Sequence, residues 1–109
     1  MSTSSMIAYV NTDGTVTASY CHYDGYTSGV GKTLSGFYNN NAAALEVASG
    51  GYLSSLEETY SESKEKSVNN DAAETFGTLK EFLANTLGDV DYVYWWTPAG
   101  QWECAKSFA

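Results

Sequence analysis

The order of apolar and polar residues predicts a β-hairpin at the start of the chain. Residues 6–10 are apolar and partly β-branched, and residues 15–23 alternate between polar and apolar side chains. Asn-Thr-Asp-Gly at positions 11–14 is typical of the tight turn between two strands, because Gly14 can adopt a positive φ. We expect the alternation to place four residues of the second strand on one face of the sheet: Val16, Ala18, Tyr20 and His22.

The middle of the chain predicts helices. Residues 24–31 are rich in glycine and predict a sharp change of direction. Residues 32–38 and 42–48 carry apolar side chains at helical spacing, and the three asparagines between them can end the first helix and cap the second. Residues 57–70 are polar, which predicts an exposed loop.

A third and longer helix is expected after this loop, with Asn70 or Asp71 as its cap. Its apolar side chains recur at spacings of three and four residues: Phe76, Leu79, Leu83 and Leu87. Gly88 suits the position that follows a helix C-terminus. The pattern then returns to strands, because two aromatic-rich runs flank the turn sequence Thr97-Pro-Ala-Gly100 and predict a second hairpin.

These elements follow one another in the order β-β-α-α-α-β-β. An isolated hairpin is marginal in water, so we expect the two hairpins to join in one antiparallel sheet of about four strands. Packing the helices on one face of this sheet gives a two-layer α+β fold. The 109 residues are the length of one domain, residues 1–109.

The net charge of the chain excludes some classes of binding partner. The chain has 5 lysines, 13 acids and no arginine, a formal net charge of −8. This balance excludes binding to a nucleic-acid polymer through a basic patch and weighs against an anionic membrane surface. Ten of the acids and three lysines lie between residues 46 and 91. That segment is either a solvated surface or a binding face for a basic partner. In the second case it could mimic the charge of DNA toward a DNA-binding protein.

Cysteine and histidine are too few for a metal site. Cys21, Cys104 and His22 cannot supply four zinc ligands without a carboxylate, so we expect no metal and no cofactor. Both cysteines are expected to be buried free thiols, and the alternative is a single disulfide between Cys21 and Cys104. The first residues lack the charge and apolar length of a signal peptide, and no run is long enough to span a membrane. A cytoplasmic protein is therefore expected.

Two neighbouring motifs carry a resemblance to known sequences. Tyr20-Cys-His-Tyr-Asp-Gly-Tyr26, followed by Val30-Gly-Lys-Thr-Leu34, resembles a family of small, mostly uncharacterised bacteriophage and prophage proteins. Its members carry Tyr-Cys-His-Trp-Asp-Gly-Tyr-Pro and then Val-Gly and Leu. The likeness continues at Gly51-Tyr-Leu-Ser-Ser-Leu56 and Asp91-Tyr-Val-Tyr94, whereas Tyr23 and Thr27 replace the family's tryptophan and proline.

The resemblance implies a phage protein in the cytoplasm of an infected bacterium. Small phage proteins of this size often antagonise host defences. Some sequester nucleotide immune signals, such as the cyclic ADP-ribose isomers of Thoeris systems. By this analogy the chain is expected to bind a small nucleotide as a homo-oligomer, without catalysis.

The candidate ligand site combines aromatic rings, polar edges and a glycine-rich turn. Tyrosine and tryptophan can stack on a base, while a histidine, an aspartate and a lysine contact its polar groups. The candidate residues are His22, Tyr23, Asp24, Tyr26, Gly29, Gly31, Lys32, Trp96 and Trp102. Backbone N–H groups at the start of the helix that Lys32 opens are a further candidate for holding an anion.

Each of these residues also has a structural interpretation. Asp24 is typical of a turn or a cap, His22 of a half-buried polar residue, and the glycines of a turn. His22 and Asp24 have no nucleophile beside them, and Cys21 points away from His22, so no catalytic residue is assigned. The alternative to nucleotide binding is an acidic inhibitor that binds a host defence protein or a DNA-binding protein directly.

Overall fold

The computed structural model describes residues 2–107, which form a five-stranded sheet and four helices. The strands are β1 (Ser5–Val10), β2 (Val16–Cys21), β3 (Glu74–Phe76), β4 (Tyr92–Trp96) and β5 (Trp102–Lys106). The helices are α1 (Lys32–Phe37), α2 (Asn41–Ser49), α3 (Tyr60–Glu65) and α4 (Leu79–Thr86), and a π-helical turn, Thr27–Gly31, leads into α1. The predicted α+β class is confirmed.

Both predicted hairpins are present. β1 and β2 pair antiparallel around the turn at residues 11–14, where the N–H of Gly14 donates to the carbonyl of Asn11 and Gly14 has a φ of 91°. β4 and β5 pair around a turn closed by the N–H of Gly100 and the carbonyl of Thr97. Pro98 occupies the second position of that turn, where its fixed φ is favourable.

The sheet is mixed, so the expectation of about four antiparallel strands is wrong in detail. Its strand order is β3-β2-β1-β4-β5, and β1 and β4 are parallel, with Ser5 opposite Tyr92 and Tyr9 opposite Trp96. The two hairpins therefore meet at β1 and β4. A parallel pair needs a long crossover connection, and here the connection contains all four helices.

The extra strand and the start of α4 correct the prediction of one long helix. β3 pairs with β2 and contains Phe76, which the helical stripe had included. The helix begins later because Thr78 caps it: the Thr78 hydroxyl accepts the N–H of Glu81 at 3.1 Å. Glu81 in turn accepts the N–H of Gly77, a variant of the capping box.

Residues 57–70 are mostly exposed, but they are not a loop throughout. They contain α3, whose cap is Thr59, an acceptor for the N–H of Glu62. Ser63 on α3 is fully buried and its hydroxyl accepts the N–H of Glu57. Lys64 holds α3 to the preceding segment by donating to the carbonyl of Gly50 at 3.0 Å.

The sheet buries apolar side chains on both of its faces. One core contains residues of α1, α2 and the segment after α2, with Ile7, Leu34 and Val47 among its members. The other core contains α4, whose Phe82 is fully buried against Ala8 and its neighbours. Helices therefore cover both faces of the sheet, whereas helices on one face only were expected.

Candidate functional site

The end of β2 and the chain after α2 bring aromatic rings together. Leu53 lies beside Cys21 in a parallel bridge, and its N–H donates to the carbonyl of Tyr20 at 2.8 Å. The N–H of His22 donates back to the carbonyl of Leu53 at 3.0 Å. This pairing places the Tyr52 ring against the Tyr20 ring, with their centroids 5.7 Å apart in a stacked arrangement.

Both tyrosines line the larger of two cavities, which we call the acidic pocket. It has a volume of about 390 Å³ and lies on the α4 face of the sheet. Its apolar floor is formed by Met6, Ala18 and Val90. Its remaining lining residues come from β3, the chain before it and the C-terminal part of α4 and beyond: Asp71, Ala72, Glu74, Asn85, Thr86 and Asp89.

The carboxylates of the acidic pocket have no cationic neighbour in the pocket. Asp71, Glu74 and Asp89 line it, and no lysine does. Within residues 2–107 the single ion pair, Glu57 with Lys66 at 2.9 Å, is elsewhere. A cavity that joins carboxylates to two tyrosine side chains is suited to a cation, because aromatic rings attract cations and the carboxylates carry full charge.

His22 does not line the acidic pocket, but it is hydrogen-bonded to Tyr20, which does. The Tyr20 hydroxyl and His22 Nδ1 are 2.9 Å apart, and the imidazole meets the Tyr23 ring edge-on at a centroid distance of 4.5 Å. Burial raises the pKa of the Tyr20 hydroxyl. His22 is therefore half-buried and hydrogen-bonded, and it positions the tyrosine that lines the pocket.

A smaller cavity, which we call the Lys32 pocket, lies between α1 and the last hairpin. Its volume is about 250 Å³. It is lined by Thr27, Gly31, Lys32, Ser35, Tyr94, Trp102, Glu103 and Cys104. The structure thus brings together three of the nine predicted ligand residues: Gly31, Lys32 and Trp102.

The backbone before Lys32 is not available to an anion. The N–H groups of residues 29–32 all donate to carbonyl oxygens of residues 24–29. The π-helical turn therefore satisfies these groups within the chain, which supports the alternative interpretation of the glycines as part of a turn. The Lys32 ammonium is the cationic group that lines this pocket.

Asp24, Tyr26 and Gly29 shape the turn and do not line either pocket. Asp24 has a φ of 59°, and its carboxylate accepts the Tyr26 hydroxyl at 3.0 Å. A Cβ on Gly29 would collide with the Asp24 carbonyl oxygen. These contacts support the structural interpretation of the three residues.

The predicted tryptophans have different environments. Trp96 is 3% exposed, and its indole N–H donates to Asn41 Oδ1 at 2.7 Å, which makes it part of the core. Trp102 is half-buried, donates to the Tyr38 carbonyl at 3.0 Å and meets the Trp96 ring edge-on. Of these two tryptophans, Trp102 lines the Lys32 pocket, and Trp96 lines neither of the two pockets described above.

The two cysteines also differ. Cys21 is fully buried, and burial raises the pKa of its thiol to about 12. Cys104 is exposed on β5, so the expectation of two buried thiols holds for Cys21 alone. Across residues 2–107, no group of three or more histidine, cysteine or acidic side chains is arranged to hold a metal ion.

Sequence reasoning missed the acidic pocket. Alternation along β2 predicts that Tyr20 and His22 share a face, and that part is correct. The position of Tyr52 depends on the bridge between Cys21 and Leu53, and the position of Glu74 depends on β3. Neither long-range contact has a local signal in the sequence.

Comparisons with known proteins leave the family open. No protein-family model, curated protein or solved structure matches the chain. Of the helices in the described part of the chain, none has the length and apolar character needed to cross a membrane.

Proposed function

We propose that this chain is a non-catalytic binding protein whose acidic pocket captures a cationic group presented by a basic partner protein. The observation that carries the proposal is the larger cavity itself, which joins Asp71, Glu74 and Asp89 to the stacked rings of Tyr20 and Tyr52. The phage resemblance adds the context of a host defence protein or a DNA-binding protein as the partner.

The pocket matches an arginine or lysine side chain in size and chemistry. A guanidinium or ammonium over a tyrosine face gains about 0.5–2 kcal/mol, with the larger value where water is excluded. Hydrogen bonds between such a group and a carboxylate are stronger than bonds between neutral groups. The apolar floor at Met6, Ala18 and Val90 suits the methylene stem of either side chain.

The charge of the whole chain supports the same partner. The formal net charge is −8, and the acids are concentrated between residues 46 and 91, the segment that contributes all three carboxylates of the pocket. A field of one sign accelerates encounter with a molecule of the opposite sign and opposes anionic ligands. A basic protein therefore fits this surface better than a nucleotide does.

The experiment is a titration of ¹⁵N-labelled protein with N-acetyl-arginine methylamide, followed by amide chemical shifts. We expect shifts concentrated at Tyr20, Tyr52 and Asp89, and none with the norleucine analogue, which lacks the charge. Glu74→Gln removes one pocket carboxylate and is expected to weaken binding roughly fivefold, since a charge-assisted hydrogen bond is worth about 1 kcal/mol or more.

Glu58→Gln is the matched control, because it removes the same charge from an exposed residue that does not line the pocket. It should leave the affinity nearly unchanged. Equal effects of the two variants, or shifts spread evenly over the surface, would show that only diffuse charge attracts the probe and would contradict the proposal.

A second candidate function rests on the Lys32 pocket. Gly31, Lys32 and Trp102 meet there as the nucleotide hypothesis expects, with an indole for stacking and an ammonium for a phosphate. In this alternative the chain sequesters a small nucleotide immune signal without turning it over.

Calorimetry distinguishes the two candidates. The titrants are cyclic dinucleotides, cyclic trinucleotides and ADP-ribose derivatives. Nucleotide sequestration requires heat with one of them, a loss of that heat in Lys32→Gln and its retention in Lys80→Gln, a lysine on the exposed side of α4. Absence of heat with every titrant at high protein concentration would remove this candidate.

A further inference from the structure

β5 is the last strand of the sheet, and its outer edge pairs with no other strand of residues 2–107. The backbone hydrogen bonds at the two ends of the hairpin, Ser107 to Asp91 and Thr97 to Gln101, fix which residues bond to β4. Hydrogen-bonded pairs alternate with non-bonded pairs along antiparallel strands. The N–H and C=O groups of three β5 residues therefore point to the open edge: Trp102, Cys104 and Lys106.

We propose that this edge pairs with the β5 edge of a second copy of the chain, antiparallel and around a twofold axis at Cys104. That register pairs the whole strand with itself and forms about six backbone hydrogen bonds between the copies. It sets Trp102 directly opposite the partner's Lys106, and Cys104 opposite the partner's Cys104. The proposal rests on the strand edge and stands whichever ligand the pockets bind.

The side chains of β5 are complementary to themselves in this register. Lys106 Nζ already lies over the Tyr92 ring at 5.8 Å, and the partner's Trp102 would add a second aromatic ring beside the same ammonium. Directly opposed residues of a hydrogen-bonded pair are close enough for such contact. A lysine facing an aromatic residue on both sides of the axis favours this chain over an unrelated strand.

The charge distribution permits the contact. Glu103 and Lys106 are the charged residues of β4 and β5, so the hairpin is formally neutral. Most of the negative charge that would repel a second copy lies between residues 46 and 91. The edge that we assign to self-association is thus among the least repulsive parts of the molecule.

Pairing would also join the two Lys32 pockets. Trp102 and Cys104 line the pocket and lie at the open edge, and residues opposite each other in a sheet project to the same face. The pockets of the two copies would meet across the axis at Cys104. Each copy would then contribute a Lys32 to one continuous, twofold-symmetric groove.

Light scattering during size exclusion tests the association. We expect the mass of two chains for the wild type and for Cys104→Ser, which keeps the backbone N–H. Cys104→Pro removes an N–H that points to the open edge and has no partner among residues 2–107, and proline is tolerated on edge strands, so we expect a folded monomer. Circular dichroism confirms folding, and if Cys104→Pro is unfolded, Lys106→Glu replaces it and should weaken the dimer.

Thiol cross-linking tests the register. The two Cys104 Cα atoms are expected about 5.5 Å apart, within the range that a disulfide spans. Mild oxidation should give a covalent dimer in the wild type, whereas Cys104→Ser gives none, and the buried Cys21 does not react. A wild-type monomer at every concentration, a dimer that persists in folded Cys104→Pro, or a dimer without a Cys104 cross-link overturns the proposal.

Discussion

Individual glycines are required for different reasons, and Gly51 combines a positive φ with a close backbone contact. Gly51 and Gly14 have nearly equal φ values, 88° and 91°. A Cβ on Gly51 would collide with the Asp71 carbonyl oxygen, whereas a Cβ on Gly14 would meet no atom within 4 Å. The two positions therefore separate the cost of a positive φ from the cost of a steric collision.

We expect Gly14→Ala to lower the free energy of unfolding by about 1 kcal/mol, the cost of the left-handed conformation alone. Gly51→Ala should lower it by more than about 2 kcal/mol, because the backbone next to the acidic pocket must also move. Urea unfolding measures both. Equal losses in the two variants would show that Asp71 yields freely, in contradiction to the packing described.

The exposed and the buried thiol should differ in their reactivity. Cys104 is exposed and should react with a thiol reagent in the native protein, whereas Cys21 should react only after unfolding. The unfolded Cys21 thiol ionises near its ordinary pKa of about 8.5, and the folded thiol stays protonated up to a pKa of about 12. Stability should therefore fall as the pH rises between these values.

Urea unfolding at a series of alkaline pH values checks the predicted fall in stability. Cys21→Ala should flatten the decline above the ordinary thiol pKa. Burial also raises the pKa of the Cys104 thiol, so Cys104→Ala should flatten the decline as well, but by less, because this thiol is exposed. Rapid labelling of two thiols in the native state would contradict the burial of Cys21.

At the scale of elements, helix starts depend on caps more than on apolar stripes. Thr59 and Thr78 both precede a glutamate by three residues, and both cap helices that begin one residue later. That signal is present in the sequence. The apolar stripe that includes Phe76 nevertheless predicts an earlier start of α4. Apolar spacings of three and four residues also occur where a strand and a helix follow one another.

We expect Thr78→Ala to lower the free energy of unfolding by about 1 kcal/mol, since the N–H of Glu81 loses its acceptor. Thr78→Ser keeps the hydroxyl and should cost only a few tenths of that amount. Thermal unfolding of the three proteins provides the measurement. A Thr78→Ser variant as unstable as Thr78→Ala would mean that the methyl group, rather than the cap, stabilises α4.

At the scale of the whole molecule, a net charge of −8 with one ion pair within residues 2–107 produces self-repulsion. Sodium chloride should therefore raise the melting temperature from low to moderate ionic strength, because screening relieves repulsion in the folded state. Potassium chloride is the control and should act alike. A melting temperature that falls with salt would show that favourable ion pairs dominate.

The sequence predicts the local elements of this molecule better than their arrangement. Both hairpins and α2 have turn or cap residues that identify them, and His22 and Tyr20 share a face as alternation requires. The parallel contact between β1 and β4 joins residues nearly ninety positions apart. No local propensity encodes that contact, and the acidic pocket depends on such contacts.

The place of β1 at the centre of the sheet has a consequence for synthesis on the ribosome. β1 is synthesised before its neighbour β4, and all four helices lie between them in the chain. Until β4 has left the ribosome, one edge of an apolar strand remains unsatisfied, so the core around these two strands cannot be completed. Their pairing also requires closure of a long loop, which makes folding slower than in helical proteins of similar size.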